Sequence, residues 1–168
     1  MTDLHEYLVR VTWTGNLGSG TSGYKHYSRD FALEANGKPA IAGTADTVFH
    51  GSPGRWNPEE MLVAALSSCH QLSYLHLCAV NGVIVTAYAG EAEGFMRFDS
   101  ATGSGRFERV VLRPEVTITA DSDVAKAREL HHRAHELCFI ANSVNFAVEC
   151  EPVIERAQAG AEMVAGGR

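Results

Sequence analysis

Of the four cysteines of this 168-residue sequence, Cys69, Cys78, Cys138 and Cys150, Cys69 and Cys138 are the ones best suited to chemistry, with His131 and His135 sharing a helix face with Cys138. Cysteines this sparse, with no CxxC pair, do not make a disulfide scaffold, a zinc ribbon or a thioredoxin-type motif; in a reducing compartment they are core residues, metal ligands or redox groups. Cys69 stands in Ser67-Ser68-Cys69-His70, a polar interruption of an apolar stretch, and such local inconsistencies often mark function. Cys78 is about half a turn out of phase with Cys69 on a helix, so the two cannot pair within one straight helix. Cys78 reads as core, and so does Cys150, which alternates with Val148. Only tertiary packing could bring Cys138 to Cys69. His131, His135 and Cys138, at i, i+4 and i+7, share a helix face that could bind zinc, lower the Cys138 pKa, or be a histidine-rich surface.

The elements that must position these residues are legible from periodicity. Residues 6–14 alternate as a strand, and alternation returns in residues 24–33 ahead of an Asn36-Gly37 turn signal, so a β-meander opens the chain. Asn57-Pro58-Glu59-Glu60 combines a capping residue, a first-turn proline and acids at the positive helix end. The helix it starts runs without Gly or Pro to Asn81-Gly82, a left-handed stop. Its small centre and bulky leucines predict a helix buried around much of its circumference, in one chain or at a dimer interface. Two β segments, roughly 83–98 and 106–119, flank a flexible loop and read as a hairpin. Asp121-Ser122-Asp123 offers caps for a second helix reaching about Asn142, and a last strand follows over 145–154. The order is an α+β layout with antiparallel hairpins rather than βαβ units, in a single domain over 1–156. The Ala/Gly-rich tail, 157–168, is expected to be helical only when docked.

Composition bounds the function classes. Of the residues 45% are hydrophobic and 20% charged, ordinary globular material, and the net charge of −6 comes without a Lys/Arg run. A sequence-independent phosphate-binding surface needs clustered cations, so nucleic acid is not an expected partner. No leader pattern and no run of about 18 apolar residues is present, which predicts a cytoplasmic protein without a membrane partner. The glycines of residues 15–23 lead into a strand rather than a helix, so they do not form a phosphate cradle.

The run Asn57-Pro58-Glu59-Glu60-Met61-Leu62, followed by Ala64-Ala65-Leu66-Ser67-Ser68-Cys69-His70, resembles the signature of the OsmC/Ohr family of thiol peroxidases. Trp13-Thr14-Gly15, the second cysteine on a later helix and the chain length are similar to that family too, so the resemblance covers roughly residues 6–154. It implies an OsmC-like fold, with antiparallel sheets packed around two central helices in an intertwined homodimer. It also implies a hydroperoxide substrate, a dithiol reductant and no cofactor. Cys69 would be the peroxidatic nucleophile and Cys138 the resolving thiol. An arginine held by the glutamate matching Glu59 would keep the sulfur ionised, because a thiol of pKa about 8.5 is mostly protonated at neutral pH. The loop where the family carries that arginine has no cation here; the nearest candidates are Arg29 and Arg55. Phe139 stands where many members have a proline. A non-catalytic OsmC-like binder of apolar small molecules and a metal-binding module using His131, His135 and Cys138 are the competing readings.

Overall fold

Alternation over residues 6–14 matures into a short strand, β1 (Arg10–Trp13), which pairs antiparallel with β2 (Phe31–Glu34), and β2 in turn with β3 (Ile41–Gly43). The computed structural model describes residues 3–158, which divide into two compact units at Leu62/Val63. This meander belongs to the first. Trp13 lies opposite Phe31 and Val11 opposite Leu33. The Asn36-Gly37 signal makes the β2–β3 turn, Gly37 at φ 71° and the Lys38 amide donating to the Ala35 carbonyl at 3.1 Å. β2 is shorter than its periodicity suggests because the preceding backbone bends around Arg29, whose guanidinium donates to the carbonyls of Tyr24 (2.7 Å) and Tyr27 (2.8 Å).

Helix α1 (Pro58–Val80) has the extent its sequence signals mark. Its start is a capping box: the Glu60 amide donates to Asn57 Oδ1 at 2.7 Å and the Asn57 amide to Glu60 Oε2 at 3.2 Å. Replacing Asn57 by alanine is expected to cost about 1 kcal/mol, read as a lower urea midpoint at unchanged m-value. At the other end Gly82 takes φ 74° and the Val83 amide reaches back to the Cys78 carbonyl at 3.0 Å, a Schellman-type closure.

The second unit holds most of α1, a long hairpin, a second helix and two short strands. β4 (Val85–Asp99) and β5 (Ser104–Ile118) pair antiparallel along their whole length, with bulges at Val85/Ala87 and Phe95/Met96. The expected last strand is instead two, β6 (Ala147–Cys150) and β7 (Val153–Arg156), broken at Pro152. Both run parallel to β5, with Cys150 opposite Leu112 and Ile154 opposite Val116. The sheet is therefore mixed rather than purely antiparallel, because a helix-bearing connection returns the chain to β5 in the same direction.

Helix α2 (Val124–Leu137) starts on Asp123, whose carboxylate accepts from the amides of Ala125 (2.8 Å) and Lys126 (3.2 Å). It ends four to five residues before the expected Asn142. Cys138 is extended (φ −72°, ψ 108°), and the Asn142 side chain donates to the Glu136 carbonyl at 2.9 Å, closing one of the last-turn acceptors. The core of this unit packs Tyr74, Leu77, Cys78, Val116, Ile118, Ala127, Leu130 and Ala134. Within the chain α1 buries one stripe, Leu66, His70, Tyr74, Leu77 and Cys78, and not most of its circumference; Ala64, Ser68, Leu72 and His76 are exposed. No helix among the described residues is long and apolar enough to cross a membrane. The tail from 159 onward lies outside the described residues.

Candidate functional site

Cys69 and Cys138 come from different helices and meet. Cys69 sits on α1 one position before the buried His70 and is half-buried; Cys138 is the buried residue that leaves α2. The Cys69 thiol lies close enough to Cys138 to act on its ionisation. The Ala141 amide donates to Cys138 Sγ at 3.4 Å. Burial, reinforced by the Cys69 thiol beside it, pushes the Cys138 thiol up to about 11, while the Ala141 amide works in the opposite direction. All four cysteines are free thiols.

The first unit holds the acid and the two arginines that the sequence singles out. Arg29 is immobilised: besides its two carbonyl contacts, its guanidinium lies 4.5 Å from the Tyr24 ring centre and 4.3 Å from that of Tyr27. Arg55 pairs with Asp30 at 3.8 Å and is held more loosely. Glu59 stands in the first turn of α1, where Glu60 and not Glu59 closes the capping box. Glu59 Oε2 is buried and has no hydrogen-bond partner among the described residues.

The zinc face expected from His131, His135 and Cys138 does not form. Its spacing argument requires α2 to continue through Cys138, whereas the helix stops at Leu137 and the Cys138 sulfur turns to Cys69. His131 turns instead to His70, Nδ1 lying 3.0 Å from His70 Nε2, and Cys150 Sγ lies 3.5 Å from that same His70 nitrogen and 4.0 Å from His131 Nδ1. Cys150 is therefore not a plain core residue. The His131 ring also stacks on Tyr74, with centres 3.7 Å apart. Burial drives both imidazoles toward the neutral form, His70 down to about 4 and His131 to about 3, and it pushes the Cys150 thiol up to about 11.

Sequence reasoning missed His70 as more than a motif neighbour, and it missed Cys150. The signal was present in the buried stripes: His70 lies four residues after Leu66 and four before Tyr74, and His131 follows Leu130 between Ala127 and Ala134. Each helix thus carries one imidazole on its apolar face, where an unpaired polar group is costly.

Comparison with known proteins bears on the family and the fold. The family model described as OsmC-like protein matches residues 50–152. A solved OsmC-like protein of unknown function from Vibrio cholerae is 34% identical, covers 89% of this chain and 100% of its own, and superposes with a TM-score of 0.79. The uncharacterized protein YmaD of Bacillus subtilis is 27% identical over 90% of this chain and 93% of its own length. An organic hydroperoxide resistance protein OsmC from Legionella pneumophila, 16% identical, shares the fold with a TM-score of 0.65, over 92% of this chain and 99% of that one. The signature on α1, the α+β architecture and these matches together make the chain a member of the OsmC-like protein family.

Proposed function

We propose that this OsmC-like protein is a thiol-dependent peroxidase that reduces organic hydroperoxides, with Cys69 as nucleophile and Cys138 as resolving thiol. The observation that carries the reading is the proximity of these two thiols, brought together from the middle of α1 and the C-terminal end of α2. Structural neighbours named as organic hydroperoxide resistance proteins lend it support.

The chemistry balances with the residues present. The Cys69 thiolate attacks the terminal oxygen of ROOH, an S–O bond forms as the O–O bond breaks, and the departing alkoxide takes up a proton and leaves as ROH. Cys138 sulfur then attacks the Cys69 sulfenic acid; the S–S bond forms, and the displaced hydroxide leaves as water with the Cys138 proton. An external dithiol returns both sulfurs to thiols by exchange, carrying the two electrons. The exposed Leu137 and Phe139 beside Cys138 favour an organic peroxide over hydrogen peroxide.

Glu59, with one buried carboxylate oxygen open, is suited to hold a cation within the first unit, the role that the family resemblance implies for it. Arg55, more loosely held than Arg29, is the better candidate for that cation. A second copy of the chain covering the exposed α1 face at Ala64, Ser68 and Leu72 would give the homodimer that the family resemblance implies; sedimentation as a monomer at micromolar concentration would contradict it.

The test of the mechanism treats the reduced protein with one equivalent of an organic hydroperoxide and maps the oxidised cysteines by peptide mass spectrometry. A Cys69–Cys138 disulfide is expected, together with turnover in the presence of a dithiol. A protein that consumes no peroxide, or that forms no such disulfide, would overturn the reading.

A further inference from the structure

Independently of the peroxidase reading, we propose that His70 Nε2, His131 Nδ1 and Cys150 Sγ form a zinc site that ties α1, α2 and β6 together. The three donors converge from three elements far apart in sequence, and they form a close group of buried or half-buried ligand atoms. Their separations, 3.0, 3.5 and 4.0 Å, form the face of a small tetrahedron. A tetrahedral Zn²⁺ with Zn–N bonds of about 2.0–2.1 Å and a Zn–S bond of about 2.3 Å needs an N–N edge of about 3.3 Å and N–S edges of about 3.6 Å. Shifts of a few tenths of an ångström convert one triangle into the other.

The donor chemistry points the same way. Two imidazoles and a thiolate suit a borderline-soft divalent ion and not Mg²⁺ or Ca²⁺, which take oxygen ligands. No carboxylate enters the group, and His131 Nε2 has no hydrogen-bond partner among the described residues, so the trio is not a completed hydrogen-bond network. Stacking of His131 on Tyr74 fixes the plane of that ring. His131 and Cys150 also line a surface pocket of about 480 Å³, shared with His132, His135 and Glu149, which gives the ion a way in and leaves the fourth coordination position to water. On binding, the Cys150 sulfur forms the Zn–S bond and its proton leaves to solvent.

The experiment uses the full chain, stripped with a chelator and kept reduced by a phosphine, titrated with Co²⁺ alone and with Zn²⁺ alone. One Co²⁺ per chain is expected, with the visible bands of a tetrahedral site and a thiolate-to-cobalt charge-transfer band, both removed by competing Zn²⁺. Cys150→Ser, a near-isosteric change whose folding is checked by circular dichroism, should abolish the charge-transfer band. It should also weaken Zn²⁺ binding at least about a hundredfold, the upper end of what losing an outer-shell partner costs. Cys69→Ser and Cys138→Ser should keep both properties, so loss of peroxide turnover in those variants leaves this site unaffected. Absence of one-to-one binding overturns the proposal, as does a charge-transfer band that survives Cys150→Ser or disappears with Cys69 or Cys138.

Discussion

Taking the metal-free protein from pH 7 to pH 5 should remove about 3–4 kcal/mol of folding stability through His70 and His131 alone. Both imidazoles are held below their ordinary value of 6.5 in the folded chain, His70 at about 4 and His131 at about 3. The first cause is burial, which penalises the imidazolium. The second is positive charge nearby: His135 acts on His70, while His70, Arg128 and His132 act on His131, and no carboxylate is among the causes of either shift, although Glu136 and Glu149 line the same pocket as His131. In the unfolded chain each residue titrates near 6.5. Below that pH the unfolded state binds more protons than the folded one, so stability rises with pH and falls on acidification. The contribution is fully present above about 6.5, drops by about 1.4 kcal/mol per group per pH unit below it, and is lost by the folded values. Typical domains have only about 5–15 kcal/mol in hand, so the effect should appear as a steep fall in the urea midpoint. His131→Leu, which keeps an apolar body against Tyr74, should remove about half of the pH dependence between 7 and 5. An unchanged slope in that variant would refute the assignment.

How much of this could be read in the sequence depends on whether the decisive interaction is local. The start and stop of α1 were fully legible, because Asn57, Glu60 and Gly82 act within one helical turn of where they stand. The end of α2 was not: the run through Cys138, Phe139 and Ile140 contains no breaker, and the stop comes from an Asn142 side chain folding back onto the Glu136 carbonyl. That error propagated into the site. A helix extended past Leu137 places Cys138 on a face with His131 and His135, whereas the real chain turns the sulfur toward Cys69. The grouping of His70 and His131 with Cys150 depends on parallel pairing of β6 with β5, which places Cys150 opposite Leu112. Strand direction after a helical crossover is a property of the whole sheet, and alternation within residues 145–154 carries no trace of it. The nucleophile candidate was legible because the α1 signature is contiguous, whereas the two candidate cations stand outside it and are held by contacts that no local pattern shows, Arg29 by the Tyr24 and Tyr27 rings and Arg55 by Asp30.

Cys69 and Cys138 should respond to substitution in opposite ways at the two steps of the proposed cycle. With its thiol pushed up to about 11 by burial and by the neighbouring Cys69 sulfur, Cys138 is ionised in only about one molecule in ten thousand at pH 7. It is therefore a poor first nucleophile, and Cys69→Ser should lower peroxide turnover by on the order of a thousandfold or more, as removal of a nucleophile does in other enzymes. Cys138→Ser should still consume one equivalent of hydroperoxide, stop at a Cys69 sulfenic acid that a dimedone-type reagent traps, and then turn over only as fast as external thiol reaches that sulfur. Burial, the largest cause of that shift, persists once Cys69 is a sulfenic acid and gives the resolving step its own signature. In the wild type, disulfide formation followed after a single peroxide pulse should accelerate about tenfold per pH unit from 7 to 9, because the Cys138 thiolate is the attacking species throughout that range. Stopped-flow measurement of the two phases separates the steps. A pH-independent second phase would mean that the sulfenic acid is resolved by a group other than Cys138, and sustained dithiol-dependent turnover by Cys69→Ser would remove Cys69 from the chemistry altogether.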